Sequence, residues 1–326
     1  MPGIHRPVMP RQVVDALTPH DGGTYVDGTF GAGGYSEALL RAALCTVLGI
    51  DRDPGVVAAG ADLDRRYAGR FKILTGCYGD MVRLLAGVDL DRVDGVALDL
   101  GLSSMQVDDA ERGFSFRRDG PLDMRMGNQG QTAADMVNTL GETDLAHIIY
   151  RFGEERASRR IARAIVEARV HAPISRTGEL ADLVRRVVPR SPSGIDPATR
   201  TFQALRIYVN DELGELERGL SAAETLLNPG GRLCVVSFHS LEDRRVKEFL
   251  RQRSGAGPRP SRHRPDLPKA EPAPSFRLLR RGAIKPSARE VTENPRARSA
   301  RLRAAERTSA PPWPDTPETG KTRQAA

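Results

Sequence analysis

Cysteine is scarce. The 326 residues contain three, Cys45, Cys77 and Cys234, an odd number with no two at CxxC spacing. That argues against a disulfide framework and against a zinc site, so no metal is expected, and it favours a reducing compartment. Long apolar runs are also missing. No stretch approaches the ~20 apolar residues of a membrane-crossing helix. The opening MPGIHRPVMPRQVV lacks the apolar core of a signal peptide. The expected location is cytoplasmic, with no membrane partner. A strong charge imbalance is absent too: 49 Lys and Arg stand against 42 Asp and Glu, a net charge of +7. Such a balance is compatible with a polyanionic partner and is weak ground for one.

What is present is ordinary for a globular chain, with 39% hydrophobic and 28% charged residues. The length suits two domains, or one with a large insert. Short apolar runs alternate with helical stretches between residues 24 and 107. Thr24–Asp27, Thr46–Ile50, Phe71–Leu74 and Val93–Leu98 read as strands, and Asp51 and Asp99 end the second and fourth. Pro54 suits the first turn of a helix, where a missing N–H costs nothing. This alternation implies a parallel sheet covered on both faces. From 108 to about 212 there is no convincing strand. Arg159–Val170, Thr177–Val188 and Thr201–Leu213 read instead as amphipathic helices. Then Glu215–Leu227 reads as a helix, Asn228-Pro-Gly-Gly231 as a turn and Leu233–Phe238 as an apolar strand. A helical insert between strands four and five explains this order better than two tandem domains. Residues 251–275 read as a long loop or a disordered segment, Phe276–Leu279 and Ala300–Ala304 as extended pieces, and the chain from about Ser309 as a loose tail.

The loop Asp27-Gly-Thr-Phe-Gly-Ala-Gly-Gly-Tyr-Ser36 follows a strand and opens a helix, so glycines there permit a tight turn and a close ligand. A phosphate-binding loop would need GxxxxGK[ST]. Gly28 and Gly33 have the spacing, but Gly34-Tyr35 replaces the Lys and hydroxyl. A dinucleotide loop beginning at Gly31 would need glycine at position 36, where Ser36 stands. That disfavours a pyrophosphate site without excluding it, and S-adenosylmethionine, which has no phosphate, is the remaining option. A carboxylate at the end of the next strand can accept both ribose hydroxyl hydrogens, and Asp51 is there, with Asp53 the better helix cap. Asp27 could face the cofactor's ammonium or brace the loop. Tyr78 could flank the adenine. After strand four, Asp99-Leu-Gly-Leu-Ser-Ser-Met-Gln106 should face the methyl group, since ligands of doubly wound sheets sit outside the carboxyl ends of the strands. Asp99 could hold the hydrogens of an exocyclic amine and push its nitrogen towards a nucleophilic geometry, the remainder being positioning for in-line attack. Phe114 or Phe116 could supply a stacking surface for the base.

These motifs stand in one order along the chain. They are His5-Arg-Pro-Val-Met9, the glycine loop, Asp51-Arg-Asp-Pro54, Asp99-Leu-Gly-Leu-Ser-Ser104 and Asp108-Asp-Ala-Glu-Arg-Gly-Phe-Ser-Phe-Arg-Arg-Asp-Gly-Pro-Leu-Asp-Met-Arg-Met126. Gly153-Glu-Glu-Arg156, Arg200-Thr-Phe-Gln-Ala-Leu-Arg206, Ser237-Phe-His-Ser-Leu-Glu-Asp243 and Asn294-Pro-Arg-Ala-Arg-Ser299 follow. As a set they resemble the RsmH (MraW) family over nearly the whole chain. The resemblance implies a Rossmann-like class I methyltransferase sheet, α/β, with a helical insert domain. It divides the chain into methyltransferase parts at 1–107 and 213–308, an RNA-recognition insert at 108–212 and a flexible tail at 309–326. It implies S-adenosylmethionine as cofactor, bound by Gly33, Gly34, Tyr35, Asp51, Tyr78, Asp99 and Gln106, with Asp99 catalytic. Tyr35 and Tyr78 depart from the family's more frequent His and Phe. The implied reaction is N4-methylation of a cytidine, position 1402, in the decoding centre of 16S rRNA. The partner is then 16S rRNA or the small ribosomal subunit, and a homodimer stays open. On this reading the insert's Arg117, Arg118, Arg125, Arg156, Arg159, Arg160, Arg200 and Arg206 could grip phosphates. His239 could be catalytic or structural, and His5 could close over the site or anchor the N-terminus. The competing expectations are an assembly factor that binds RNA without needing catalysis, and a DNA amino-methyltransferase. The latter is disfavoured by the missing Pro-Pro-aromatic sequence after Asp99.

Overall fold

A computed structural model of the chain describes residues 7–102, 104–189, 194–256 and 272–314. Its strands are β1 (Thr24–Asp27), β2 (Thr46–Asp51), β3 (Phe71–Thr75), β4 (Val93–Asp99), β5 (Leu227–Ser237), β6 (Phe276–Leu278) and β7 (Arg301–Arg307). They form one sheet in the order β3-β2-β1-β4-β5-β7-β6. The first five are parallel, while β7 runs antiparallel to β5, and β6 to β7. Central β4 buries Val93, Gly95, Val96, Ala97 and Leu98 almost without a break, the mark of a strand covered on both faces. The strand order reverses between β1 and β4. The crevice beside their carboxyl ends is therefore the place for a ligand in such a sheet.

The helices are α1 (Pro10–Leu17), α2 (Gly34–Ala42), α3 (Val57–Arg66), α4 (Met81–Ala86), α5 (Ser104–Asp108), α6 (Ala133–Thr139), α7 (Glu142–Gly153), α8 (Ser158–His171), α9 (Thr177–Val187), α10 (Ala198–Val209), α11 (Glu212–Leu226), α12 (Ser240–Arg253) and α13 (Ala288–Glu293). The inserted helices α5 to α10 thus fall between β4 and β5, as the periodicity predicts. The chain divides into two compact units. Among the described residues, one holds 7–51, 59–100 and 216–314, and the other holds 52–58 and 101–215. Val26, Ile50, Leu98, Leu220, Val235 and Leu250 contribute to the core of the first, and Ile161, Ile165, Leu180, Val184, Phe202 and Leu205 to that of the second.

Several sequence expectations need correction. The boundary at 107/108 is too late, and residues 52–58 belong with the helical unit. Arg112 Nη1 donates to Asp53 Oδ2 at 2.9 Å, and Arg52 Nη1 to the carbonyl of Asn210 at 3.3 Å. Asn228-Pro-Gly-Gly231 is not a free turn. It is a bulge inside β5, where the four residues between Leu227 and Arg232 stand against the single residue between Val93 and Gly95 of β4. The tail expected from 309 starts out packed: the Trp313 indole N–H donates to the carbonyl of Ala273 at 2.9 Å, and its ring lies 4.7 Å from the Arg253 guanidinium. Residues 315–326, and 257–271 of the expected loop, lie outside the described residues, as does His5.

Gly113 shows how tightly the helical unit is folded. Its φ of +69° is left-handed, and a Cβ there would lie 2.1 Å from the carbonyl oxygen of Pro121. Gly113→Ala should destabilise this unit by at least about 1–2 kcal/mol from the backbone conformation alone. Denaturant titration checks it; an unchanged midpoint would contradict it.

Candidate functional site

The glycine loop is stitched to both neighbours of β1. The N–H groups of Gly28 and Phe30 donate to the carbonyls of Ala97 and Ile50, at 2.9 and 3.0 Å. Gly31 N–H donates to Asp51 Oδ2 at 2.8 Å, and Asp99 N–H to the Thr29 hydroxyl at 2.6 Å. Gly33, with φ +77°, opens α2. The loop glycines serve the chain itself as well as any ligand. A Cβ on Gly33 would strike the Phe30 ring at 2.7 Å, and one on Gly34 would strike Pro7 at 2.7 Å. Pro7 belongs to a short strap over the loop. The Tyr35 hydroxyl donates to the carbonyl of Val8 at 2.6 Å, and Met9 N–H donates to Glu290 Oε1 of α13 at 2.6 Å.

Three carboxylates end adjacent parallel strands: Asp27 on β1, Asp51 on β2 and Asp99 on β4. Asp27 is 1% exposed. Its Oδ2 accepts from Ser36 N–H at 3.0 Å and from the Ser36 hydroxyl at 2.8 Å, so Asp27 braces the loop, one of its two expected roles. Burial pushes its pKa up to about 6, with the hydrogen bonds pulling back and the charge of Asp51 adding to the rise. Burial holds Asp99 well above the ordinary carboxylate range. The nearby charge of Asp27 acts in the same sense, the Tyr35 hydroxyl pulls down, and Glu242 adds a smaller upward push. Asp99 Oδ1 is buried and has no hydrogen-bond partner among the described residues. Asp99 thus keeps a buried oxygen without a donor in a cluster of acidic groups, an environment that would favour a cationic ligand. S-adenosylmethionine, with its sulfonium and ammonium, fits that need.

The loop, Asp51, Tyr78 and Asp99 come together. The Cβ of Tyr78 is 3.1 Å from where a Cβ of Gly28 would be, and its ring packs over Gly219 of α11. That bare glycine face explains why an aromatic fits here. Gln106 lies instead in the helical unit, its Nε2 3.4 Å from Asp53 Oδ2. Asp53 also accepts from Gly55 N–H at 2.9 Å, the capping role expected of it. His239 caps α12: its Nδ1 accepts from Glu242 N–H at 3.4 Å, which favours the structural reading. Phe114 and Phe116 both pack with the helical core: Phe114 is 8% exposed and Phe116 packs edge-on against Phe202.

Of the insert arginines, Arg125 pairs with Asp123 at 2.7 Å and Arg206 with Glu212 at 2.7 Å. Arg200 donates to the carbonyl of Glu154, and Arg118 to that of Asp108. Arg117, Arg156, Arg159 and Arg160 are exposed. The residues that sequence reasoning missed are Thr29, Ser36, the strap at Pro7–Met9 and Glu290. Ser36 was within reach as a hydroxyl in the first turn after the loop. Glu290 lies 281 residues from Met9, and no local pattern foretells such a bond.

A model of the MraW methylase family matches residues 3–308. The ribosomal RNA small subunit methyltransferase H of Paramagnetospirillum magneticum is 63% identical over 312 residues, spanning 96% of this chain and 98% of that protein. The protein of the same name from Rhodospirillum centenum is 64% identical over 310 residues, 95% of this chain and 94% of that one. No described helix is long and apolar enough to cross a membrane.

Proposed function

The chain belongs to the MraW methylase family and is an S-adenosylmethionine-dependent methyltransferase, and from that premise we propose that it methylates N4 of a cytidine in the decoding centre of small-subunit ribosomal RNA. The names of its relatives support the RNA. The observation that carries the chemistry is Asp99, whose Oδ1 is buried without a partner at the carboxyl end of β4. The N4 amine of cytosine is a poor nucleophile, because its lone pair is delocalised into the ring. An acceptor that holds an amine hydrogen localises that pair on nitrogen, and Asp99 has an oxygen to give to it.

When bound, S-adenosylmethionine supplies an electrophilic methyl on a sulfonium. Gly33, Gly34, Tyr35, Asp51 and Tyr78 are the residues of the sheet-bearing unit that would hold it. Asp51 ties down the loop through Gly31 and would accept from the ribose hydroxyls. Tyr35 fixes the strap over the loop and sets the environment of Asp99. A base must leave its stack to reach such a site, and single-stranded or splayed RNA allows that.

The test is transfer of labelled methyl groups to small subunits or rRNA lacking the modification, with mass spectrometry locating the product at the cytosine amine. Active, cofactor-saturated protein that leaves such substrates unmodified would refute the reading. For the cofactor site, Asp51→Ala should weaken S-adenosylmethionine binding by about 1–3 kcal/mol, the loss of a charged hydrogen-bond partner. Unchanged affinity in calorimetry would remove Asp51 from the site.

A further inference from the structure

The positive charge of this chain is not where the helical insert would lead one to look. Residues 108–212 carry 16 Arg and no Lys against 16 Asp and Glu, so the insert is formally neutral. Residues 1–107 carry 10 basic and 13 acidic residues. Residues 213–326 carry 23 and 13, which more than accounts for the net charge of the whole chain. The excess is densest between Arg277 and Arg303, where nine Lys or Arg accompany two Glu.

The sheet register places part of this segment beside the reacting edge. Asp99 pairs with Val236 of β5, and Val236 pairs with Leu302 of β7. Leu302 in turn forms a bridge with Ile284. These residues form one row across the sheet, and two strand spacings, about 10 Å, separate Leu302 from Asp99. Because β7 runs antiparallel to β5, its first residue, Arg301, stands at the carboxyl end of β5, opposite Ser237. Arg298 is in the 3₁₀ turn Pro295–Ser299 just before it. Lys285 follows the bridge at Ile284. The strap over the glycine loop reaches the same region through Met9 and Glu290.

Arg298, Arg301 and Lys285 are exposed, and none of them has a carboxylate partner among the described residues. The contrast lies in the same segment. Arg303 is clamped by Asp243 at 2.7 and 3.1 Å, and Arg289 by Glu293 at 2.8 Å. The paired cations are explained within the protein. Lys285, Arg298 and Arg301 stand exposed near the end of the sheet that carries Asp99, with no such pairing. A chain of phosphates would neutralise them and release its counterions in doing so.

We propose that Lys285, Arg298 and Arg301 form the surface on which the phosphate backbone flanking the target nucleotide docks, so that RNA positioning rests on the sheet-bearing unit. The proposal rests on the reading of the chain as an rRNA methyltransferase. Phosphate contacts of this kind set the register of the strand without reading its sequence. The surface would place nucleotides next to the flipped base while Asp99 holds its amine.

The experiment compares the wild type with the triple variant Lys285→Gln, Arg298→Gln, Arg301→Gln and with the insert variant Arg156→Gln, Arg159→Gln, Arg160→Gln. Binding to unmodified 16S rRNA is followed by fluorescence anisotropy between 50 and 200 mM KCl. Losing three phosphate contacts should flatten the slope of log K against log salt by about 2, at roughly 0.7 per phosphate for single strands. KM for RNA should rise, with kcat at saturating RNA and S-adenosylmethionine affinity unchanged. The insert variant should lose less. A triple variant with wild-type slope and affinity overturns the proposal and leaves the methyltransferase reading standing, as does a loss confined to the insert variant. Wild-type protein that binds neither this RNA nor unmodified small subunits refutes the reading and the proposal together. The single variant Arg298→Gln, checked for an unchanged melting temperature, guards against a folding artefact and should give about a third of the change in slope.

Discussion

Asp99→Ala should lower kcat for methyl transfer by about 10²–10⁴-fold, the usual span for removing a positioned group that handles a proton in the transition state. S-adenosylmethionine affinity should change far less, because Asp51 and the loop keep their contacts. The variant should also fold at least as well as the wild type when no ligand is present. Asp99 Oδ1 is buried without a partner, and burial with the nearby Asp27 charge holds its pKa well above the ordinary range. Its ionised form is therefore a burden on the empty protein, accepted for what it does to substrate. Single-turnover methylation of unmodified small subunits, with a melting curve alongside, reads both effects. A variant that methylates at the wild-type rate, or restores the mark in cells, would remove Asp99 from the chemistry. Asp99→Asn adds a geometric control. It keeps the shape but brings an amide N–H₂ to the pocket, so restored activity would show that one carbonyl acceptor is sufficient.

Asp27→Asn is expected to act on stability, with a sign set by pH. The folded pKa of Asp27 is raised from 3.8 to about 6. A raised carboxyl pKa contributes stability at low pH, fully present below the unfolded value and lost as pH climbs through the folded one. Between about pH 4 and 6 the wild type should therefore lose about 3 kcal/mol through this group, at 1.36 kcal/mol per pKa unit, and lose no more of it above that window. Asparagine does not titrate and can still accept from Ser36, although it forfeits the long bond from Thr29 N–H at 3.4 Å. The variant should be more stable than wild type at pH 7.5, and the difference should shrink as the solution is acidified. Urea titrations of both proteins at pH 4.5, 6 and 7.5 measure it. A stability difference that is the same at all three would show that Asp27 does not titrate in this window. At pH 7.5 the same variant should bind S-adenosylmethionine more weakly, since one of the charges that favour a cation is gone.

Much of the fold was legible in the chain because its signals are local. Thr24–Asp27 was expected with its observed bounds, and β2, β3 and β4 each run one residue beyond their expected ends. Strand period, a terminal Asp and a glycine turn are all read within a few residues. The order of the insert was legible for the same reason, since helical periodicity simply replaces strand alternation after residue 108. The pieces around Phe276 and Ala300 could be seen as extended, but not as antiparallel neighbours on the far side of β5. That pairing joins Leu233 to Ala305, 72 residues away, and nothing in either segment names the other. Asp53 illustrates a subtler miss. Its cap was evident, while its bond to Arg112, 59 residues on, decided which unit it joins.

By itself the sequence determined that a glycine loop follows β1 and that acidic residues end β1, β2 and β4, because strand ends and turn residues are written in short stretches. It supplied the ordered set of motifs on which the family resemblance rests, and the charge count that finds the insert neutral. Tertiary structure alone decided what those residues face. It seated Phe30 and Pro7 in the spaces left by Gly33 and Gly34, and turned Asp27 inward onto Ser36. It left Asp99 with a buried oxygen lacking a partner, and brought Arg298 and Arg301 round to the edge that carries Asp99. Burial and long-range pairing set these outcomes. Both depend on which distant segments the sheet brings together, a property that no local stretch of the chain contains.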